Sequence, residues 1–354
     1  MKVLFISRAF PPVIGGIEQQ NESIARSLGM RCETGLIANR YGKKLLPLFL
    51  PYATIRALLV MRRYDIVLLG DGVLAIIGAI IKLLSRKPVV CIVHGLDLTF
   101  ASRIYQALWV GRFLPGLDRL IAVGNATINE GVGRGIPAGK FTFIPNGVEL
   151  TASVTRCQRQ ALEQRLARPI PGQLLLTLGR LVRRKGVAWF IENVLPGLDP
   201  DLTYVVAGNG PDRDNIAATV ERLQLQDRVV MTGEVSDRDR ELLYACADLF
   251  VQPNIPVADN MEGFGLVVLE AAERGLPVAA ARIEGLQDAI SEENNGFLVE
   301  SGNTEAWRQL ITDLLHDPDR LQQAGTRARA YTQQNFAWKL IARRYQAALE
   351  NELE

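Results

Sequence analysis

Short apolar runs of strand length recur along this chain, most of them separated by stretches of helical character. That rhythm limits the fold more than any other feature. In the first half the runs are Val3–Ser7, Ile66–Leu69, Val89–Val93, Leu120–Val123 and Phe141–Ile144. Helical stretches at Glu18–Leu28, Pro51–Arg63, Val73–Ser85 and Ile104–Phe113 lie among them. The second half restarts the pattern, with strands expected at Leu174–Leu178, Thr203–Ala207, Arg228–Met231, Leu249–Gln252, Pro277–Ala280 and Gly296–Val299. Between them Trp189–Leu195, Asp212–Leu223, Asp237–Ala245, Leu266–Arg274 and Thr304–Asp317 read as helices. Apolar runs without polar alternation suit strands covered on both faces, and their alternation with helices indicates βαβ units in a parallel sheet. At roughly 150 residues per domain, 354 residues suit two domains. The polar stretch Thr151–Gln173 carries four arginines and ends in Pro169, Pro171 and Gly172, which makes it the expected boundary. The expected class is therefore α/β: two doubly wound parallel-sheet domains with a cleft between them, and ligands beyond the carboxyl ends of the strands. Arg327–Glu354 is strongly helical, and periodicity assigns it to neither domain.

Composition narrows the class. With 48% apolar and 22% charged residues the chain can bury full cores and is not disordered. The longest apolar run, Val73–Ile81, falls far short of the roughly 20 residues a spanning helix needs, so no membrane span is expected. The N-terminus meets Arg8 after a handful of apolar residues and has no small-residue cleavage site, which argues against a secretory signal. Cys32, Cys91, Cys157 and Cys246 lack CxxC spacing, and only His94 and His316 accompany them, so neither a zinc site nor a disulfide framework is expected. These features point to a soluble cytoplasmic protein. The formal net charge of +2 hides an asymmetry: residues 1–150 carry 18 basic and 9 acidic residues, and the remainder 22 and 29. A basic half suggests an anionic partner, whether nucleic acid, a membrane surface or a phosphorylated substrate.

Four strand-to-helix loops could hold such a substrate. Phe10–Ile17 places Gly15 and Gly16 before a helix, where main-chain amides and the helix dipole suit phosphate. The dinucleotide fingerprint GxGxxG is absent there, which argues against an NAD-dependent dehydrogenase. Gly179–Gly186, with Arg180, Arg183, Arg184 and Lys185, has the makings of a diphosphate clamp in which Arg180 offers a fork and Lys185 a point charge. Arg183 and Arg184 read as solvated. In Glu262–Glu270, Gly263 and Gly265 flank Phe264 just before an apolar helix. Glu262 then precedes the helix and Glu270 sits one turn inside it, with free N–H groups from Phe264 to Val268 between them. His94, followed by Gly95 and Asp97, stands at the carboxyl end of a central strand.

In order along the chain, PPVIGGIEQ, His94-Gly95, PNGVE (Pro145–Glu149), GRLVRRKG, VVAGNGP (Val205–Pro211) and EGFGLVVLEAAERGLPVAA resemble the retaining GT-B glycosyltransferases of family 4, the group 1 glycosyltransferases. The resemblance spans nearly the whole chain. It implies two Rossmann-like domains: residues 1–160, joined by a returning C-terminal helix at about 335–354, for the acceptor, and residues 170–334 for a nucleotide-sugar donor. It further implies that Arg180 and Lys185 bind the donor diphosphate and Glu270 the ribose, while Glu262 and the backbone at Phe264 and Gly265 hold the sugar. Gly15, Gly16, Gly179, Gly208, Gly233, Gly263, Leu266 and Val267 would complete the donor site. His94 would lie beside the transferred sugar, and Asp97 and Asn146 on the acceptor side. Such enzymes use no cofactor or metal beyond the UDP- or GDP-linked sugar itself. The departing diphosphate would help to deprotonate the acceptor hydroxyl, while Arg180 and Lys185 stabilise its charge.

The chain departs from the family pattern after Pro277–Ala280. There Glu284-Gly285-Leu286-Gln287-Asp288 replaces a GGxPE-like turn, without the proline and with Asp for Glu. The expected activity is hexosyl transfer to a glycan or lipid-linked acceptor in cell-envelope or polysaccharide biosynthesis. The basic flanks of Leu45–Leu59, with Trp109 and Tyr105 in the same half, make an anionic membrane surface a candidate partner, while Val73–Leu84 reads as a buried helix. A nucleic-acid partner is not expected, because no aromatic residues interleave with the cations. The competing readings are a nucleotide-sugar epimerase of the same shape and a noncatalytic sugar-nucleotide-binding protein.

Overall fold

The computed structural model describes residues 1–13, 15–152 and 157–354. Ile14 of the Gly-Gly loop and residues 153–156 of the expected linker lie outside the described residues. The chain forms two compact units. The first comprises Met1–Gly147, Met261–Phe264 and Phe336–Glu354, and the second Val148–Asn260 and Gly265–Asn335. The described residues between 148 and 160, expected in the first domain, therefore group with the second unit.

The first unit holds a six-stranded parallel sheet of β1 (Lys2–Ser7), β2 (Glu33–Ala38), β3 (Ile66–Leu69), β4 (Val89–Val93), β5 (Arg119–Ala122) and β6 (Phe141–Phe143), in the order 2-1-3-4-5-6. Every residue of β3 and β4 is buried, which explains their unbroken apolar sequences. On one face Leu4, Ile6, Val67 and Leu69 pack with Phe49, Ala53, Ala57, Ile77, Ile81 and Val110. These last six come from α2 (Leu46–Val60), α3 (Ala75–Leu84) and the segment Gln106–Phe113, which is wound as a π-helix. Elsewhere in this unit α1 (Gly16–Gly29) packs against the last helix, Trp338–Glu350, where Arg31 donates to Gln346 at 2.7 Å. The helical C-terminal stretch is thus two helices, broken at Ala337.

β2 had no signature in the sequence. Its residues, Glu-Thr-Gly-Leu-Ile-Ala, sit at the sheet edge with only β1 as partner, and Gly35 is small because the Tyr64 ring covers it. The helix Asn125–Gly133 was also missed, since two glycines lower its propensity. One of them, Gly131, lies against Phe141, whose ring would collide with any added Cβ.

The second unit repeats the architecture with β7 (Leu174–Leu178), β8 (Thr203–Ala207), β9 (Val229–Gly233), β10 (Leu249–Gln252), β11 (Val278–Arg282) and β12 (Phe297–Glu300). Their order is 12-11-10-7-8-9, so the chain reverses direction across the sheet between β7 and β10.

One exclusion made from sequence needs correction, as does the length argument behind another. Cys157 and Cys246 form a disulfide, with Cα atoms 4.7 Å apart and a separation of 89 positions in sequence. Spacing rules look for local pairs, and this pair meets only because the linker runs back to the end of the helix Asp237–Cys246. In the loop-entropy picture a closed loop of that length contributes up to about 4–5 kcal/mol. The other concerns membrane length. The helix from Lys43 to Arg63, flanking turns included, is long and apolar enough to cross a bilayer. Run length hid this because Pro51, Tyr52, Thr54 and Arg56 interrupt it. It nonetheless packs along one side, through Phe49, Ala53, Ala57 and Met61, onto the sheet of the first unit.

Candidate active site

The second unit brings three glycine-bearing loops together at the carboxyl ends of β7, β8 and β9. Gly179 donates its amide to Ala207 O at 2.9 Å, Gly208 to Gly233 O at 2.8 Å, and Leu181 to Asn209 O at 2.9 Å. A Cβ on Gly208 would collide with the Gly179 carbonyl, so the two loops approach as closely as main chains can. Arg180 is exposed beside this crossing and Lys185 is buried in the turn Arg183–Lys185. Arg184 does not read as solvated in the structure: its guanidinium donates to Asn260 at 3.1 Å and its carbonyl accepts from Ile255. Arg183 is exposed as expected.

The helix Leu266–Glu273 begins at Gly265, which has φ +84°. Its Val268 amide already bonds Gly265 O at 3.1 Å, so the run of free amides proposed from sequence stops one residue earlier, at Val267. Glu270 lies one turn in, and Tyr244 donates its hydroxyl to Glu270 Oε2 at 3.0 Å. Arg274 fixes Tyr244 in turn. Its guanidinium stacks 4.9 Å from the ring centre, pairs with Glu241 through two nitrogens, and donates to the Glu270 carbonyl at 2.9 Å. Burial, and then the Glu270 charge, push the Tyr244 phenol well above its ordinary range, so it stays a donor. Arg274 holds Glu241 below the usual carboxylate range. Sequence reasoning found Glu270 but missed Tyr244, Arg274 and Glu241, which no motif links to it.

In the first unit the ends of β1, β3 and β4 carry a polar cluster. His94 Nε2 lies 2.9 Å from Gly70 O, an acceptor, so this nitrogen bears the proton. The His94 amide donates to Asp97 Oδ1 at 2.8 Å, and the Gly72 amide to Asp97 Oδ2 at 2.9 Å. Asp97 is therefore buried with each carboxylate oxygen accepting one main-chain amide, clasping two loops. Asn146 is buried too, and its Oδ1 has no hydrogen-bond partner among the described residues.

Arg8 and Asp71, which sequence reasoning passed over, form a largely buried ion pair at 2.8 Å in this cluster. Burial pushes the Asp71 carboxyl upward; Arg8 pulls against it and Asp97 adds to it. Gly15 caps α1 and Gly16 opens it, with the Glu18 carboxylate folded over Gly15. The segment Met261–Phe264 belongs to this unit as well. Glu262 is buried, Gly263 lies against the His94 carbonyl, and Phe264 meets Phe336 with ring centres 6.2 Å apart. The EGFG motif thus divides: its first three residues belong to the first unit, with Gly263 against the His94 carbonyl, and Gly265 starts the helix that bears Glu270. Trp109 and Tyr105 are not turned outward, because Trp109 donates to Val73 O at 2.8 Å and stacks on Tyr105.

Fold and site together define a two-domain GT-B transferase, and sequence comparison agrees. The description Glycosyl transferases group 1 matches residues 158–331, and Glycosyltransferase Family 4 matches residues 14–152. The chain belongs to this family of glycosyltransferases. It is 24% identical to a GDP-mannose-dependent alpha-(1-6)-phosphatidylinositol monomannoside mannosyltransferase of Mycolicibacterium smegmatis, covering 99% of each chain. It is 30% identical to the sulfoquinovosyl transferase SQD2 of Arabidopsis thaliana, over 74% of this chain and 51% of that one. Among solved structures, Anabaena HepE in complex with UDP-glucose superposes with a TM-score of 0.79 at 23% identity, covering 99% of this chain and all of that one. That likeness bears on the fold.

Proposed function

We propose that this protein transfers a hexosyl group from a nucleotide-diphosphate sugar to a hydroxyl of a glycan or lipid-linked acceptor. Transfer proceeds in the cytoplasm, with retention at the anomeric carbon and without a metal, in cell-envelope or polysaccharide synthesis. The observation that carries this reading is the second unit's convergence of the Gly179, Gly208 and Gly233 loops with a helix whose Glu270 is held by Tyr244. Names of relatives support the donor class, since one uses GDP-mannose and a fold neighbour was captured with UDP-glucose.

In this mechanism the amides of Leu266 and Val267, with Arg180 and Lys185, receive the diphosphate, and Glu270 receives the ribose hydroxyls. Glu262 and the backbone of Phe264 and Gly265 hold the sugar. His94, whose Nε2 is committed to the Gly70 carbonyl, is given a positioning role and not that of a proton shuttle. The bond from the anomeric carbon to the phosphate oxygen breaks, and the acceptor oxygen joins the same face. Its proton passes to the departing phosphate, whose charge the cations and amides stabilise. Electrostatic stabilisation prepared in advance is the chief contribution asked of the protein.

A thermal-shift panel of nucleotide-sugars tests the donor assignment, since a ligand at ~100 times its Kd adds about 2.7 kcal/mol of stability. A UDP- or GDP-linked hexose is expected to raise Tm, and the Arg180→Ala/Lys185→Ala pair to abolish the shift. No response to any nucleotide-sugar, or undiminished transfer by the double variant, refutes it. Product analysis with donor alone distinguishes transfer from epimerisation.

A further inference from the structure

The outer face of α2 carries an apolar row that the fold leaves uncovered. Leu48, Tyr52, Ile55 and Leu59 are 69%, 59%, 61% and 72% exposed. At about 100° per residue they fall within an arc of about 60°, turned away from the side formed by Phe49, Ala53 and Ala57. Leu45, one turn earlier, extends the row. α2 packs on α3, and α3 on Gln106–Phe113, all on one face of the sheet. Leu83 and Leu84 at the end of α3 are exposed too, as are Leu108 of that segment and Ile104 in the turn before it. Soluble surfaces seldom gather large apolar side chains into one such patch without a partner.

The charges around it choose the partner. Residues 40–64 contain six cations and no carboxylate, and residues 100–113 contain Arg103 and Arg112 and again no carboxylate. Lys43, Lys44, Arg56, Arg62 and Arg63 are exposed along the row. A second copy meeting this face about a two-fold axis would set cation against cation. An apolar row flanked along its own segment by cations and no carboxylate matches the interface of an anionic leaflet, where the row enters the acyl boundary and the cations meet phosphates.

We infer that α2 is a leaflet-docking helix: it lies in the plane of an anionic membrane through Leu48, Tyr52, Ile55 and Leu59, and Lys43, Lys44, Arg62 and Arg63 read the headgroups. Packing of its other side on the sheet makes it lie on the bilayer rather than span it. The inference does not depend on the donor assignment, because no donor residue lies in the patch.

Flotation of the full chain with vesicles of phosphatidylcholine containing about a third phosphatidylglycerol, at low salt, tests it. The wild type is expected to float and to be released by added salt. The triple variant Leu48→Ser/Ile55→Ser/Leu59→Ser, and separately Lys43→Gln/Lys44→Gln/Arg62→Gln/Arg63→Gln, should each bind at least about tenfold more weakly. Both variants should keep the wild-type Tm and any donor-induced shift, because these side chains are exposed. Failure of the wild type to float overturns the inference, as does a triple variant that floats equally well. So does a wild-type dimer, without vesicle binding, that the triple variant dissolves to monomer; that result would give the face to a second copy.

Discussion

Two glycines at the carboxyl ends of neighbouring strands separate the effect of backbone conformation from that of close approach. Gly208 has φ +135°, and a Cβ there would lie closer than 3.0 Å to the Gly179 carbonyl. Gly233 has φ +70°, with nothing within 4 Å of the corresponding Cβ. Gly233→Ala should therefore cost only left-handed strain, about 1–2 kcal/mol. Gly208→Ala adds a clash with main chain that no side-chain rotation relieves. Strain of about 1–3 kcal/mol and overpacking of about 1–3 kcal/mol together give about 2–6 kcal/mol. The clash also forces the β7 and β8 loops apart where the diphosphate is expected. Urea unfolding reads the stability, and a nucleotide-sugar thermal shift reads the site. Gly233→Ala should retain the donor-induced shift, whereas Gly208→Ala should lose both stability and shift. If Gly208→Ala proves as stable as Gly233→Ala and still responds to donor, the loop crossing is not the support it is argued to be.

Removing Arg8 while keeping Asp71 should be costly, because a buried carboxylate loses its counter-charge: about 3–5 kcal/mol for Arg8→Ala, partly restored by adding Asp71→Asn. The sign with pH is definite. A carboxyl raised in the folded state binds more protons folded than unfolded, so stability falls as pH rises from the ordinary Asp range through the raised value. Urea titrations should therefore show a larger Arg8→Ala defect at neutral pH than under acid conditions; a defect independent of pH would refute the charge argument. Tyr244→Phe should leave the fold intact apart from about 1–3 kcal/mol for the hydrogen bond to a charged group. It should raise the KM for donor more than it lowers kcat, as steady-state kinetics would show, and equal effects on both would place Tyr244 elsewhere in the cycle.

The sequence was most legible where burial dictated composition. β3, β4, β7, β8 and β10 have the bounds expected of them, since strands covered on both faces have no choice but apolar residues. β2 escaped because one edge is unpaired and its side chains need not all be buried. The loops proposed to hold the donor were legible as glycines and charges beside strand ends. What holds them was not, because supporting contacts join residues far apart in the chain. Arg8 meets Asp71 across 63 positions, Tyr244 meets Glu270 across 26, and Cys157 meets Cys246 across 89. Asp97 shows a support of the same kind: its two oxygens accept backbone amides that its place at a strand end does not disclose.

Net charge misdirects in the same way when it is taken over half a chain. The half expected to hold a diphosphate carries 22 basic and 29 acidic residues, a balance of the wrong sign for an anion. Screening resolves the conflict, because at physiological salt charges beyond about 8 Å count for little. What a bound diphosphate would feel is local: the amides opening the helix at Leu266, and the cations of the Gly179–Gly186 loop. The acids visible around that helix are engaged, Glu241 with Arg274 and Glu273 with Thr151. The surplus of cations in the first half needs a different reader. Arg8 is spent on Asp71, Lys82 on Asp118 and Arg119 on Glu352, while the exposed cations along α2 border an apolar row. In the two proposals made above, one chain handles two anionic partners by different physics. A small, multiply charged ligand is held by a few dipoles and cations at a strand-to-helix turn, and an extended anionic surface is met by exposed cations spaced along a half-buried helix.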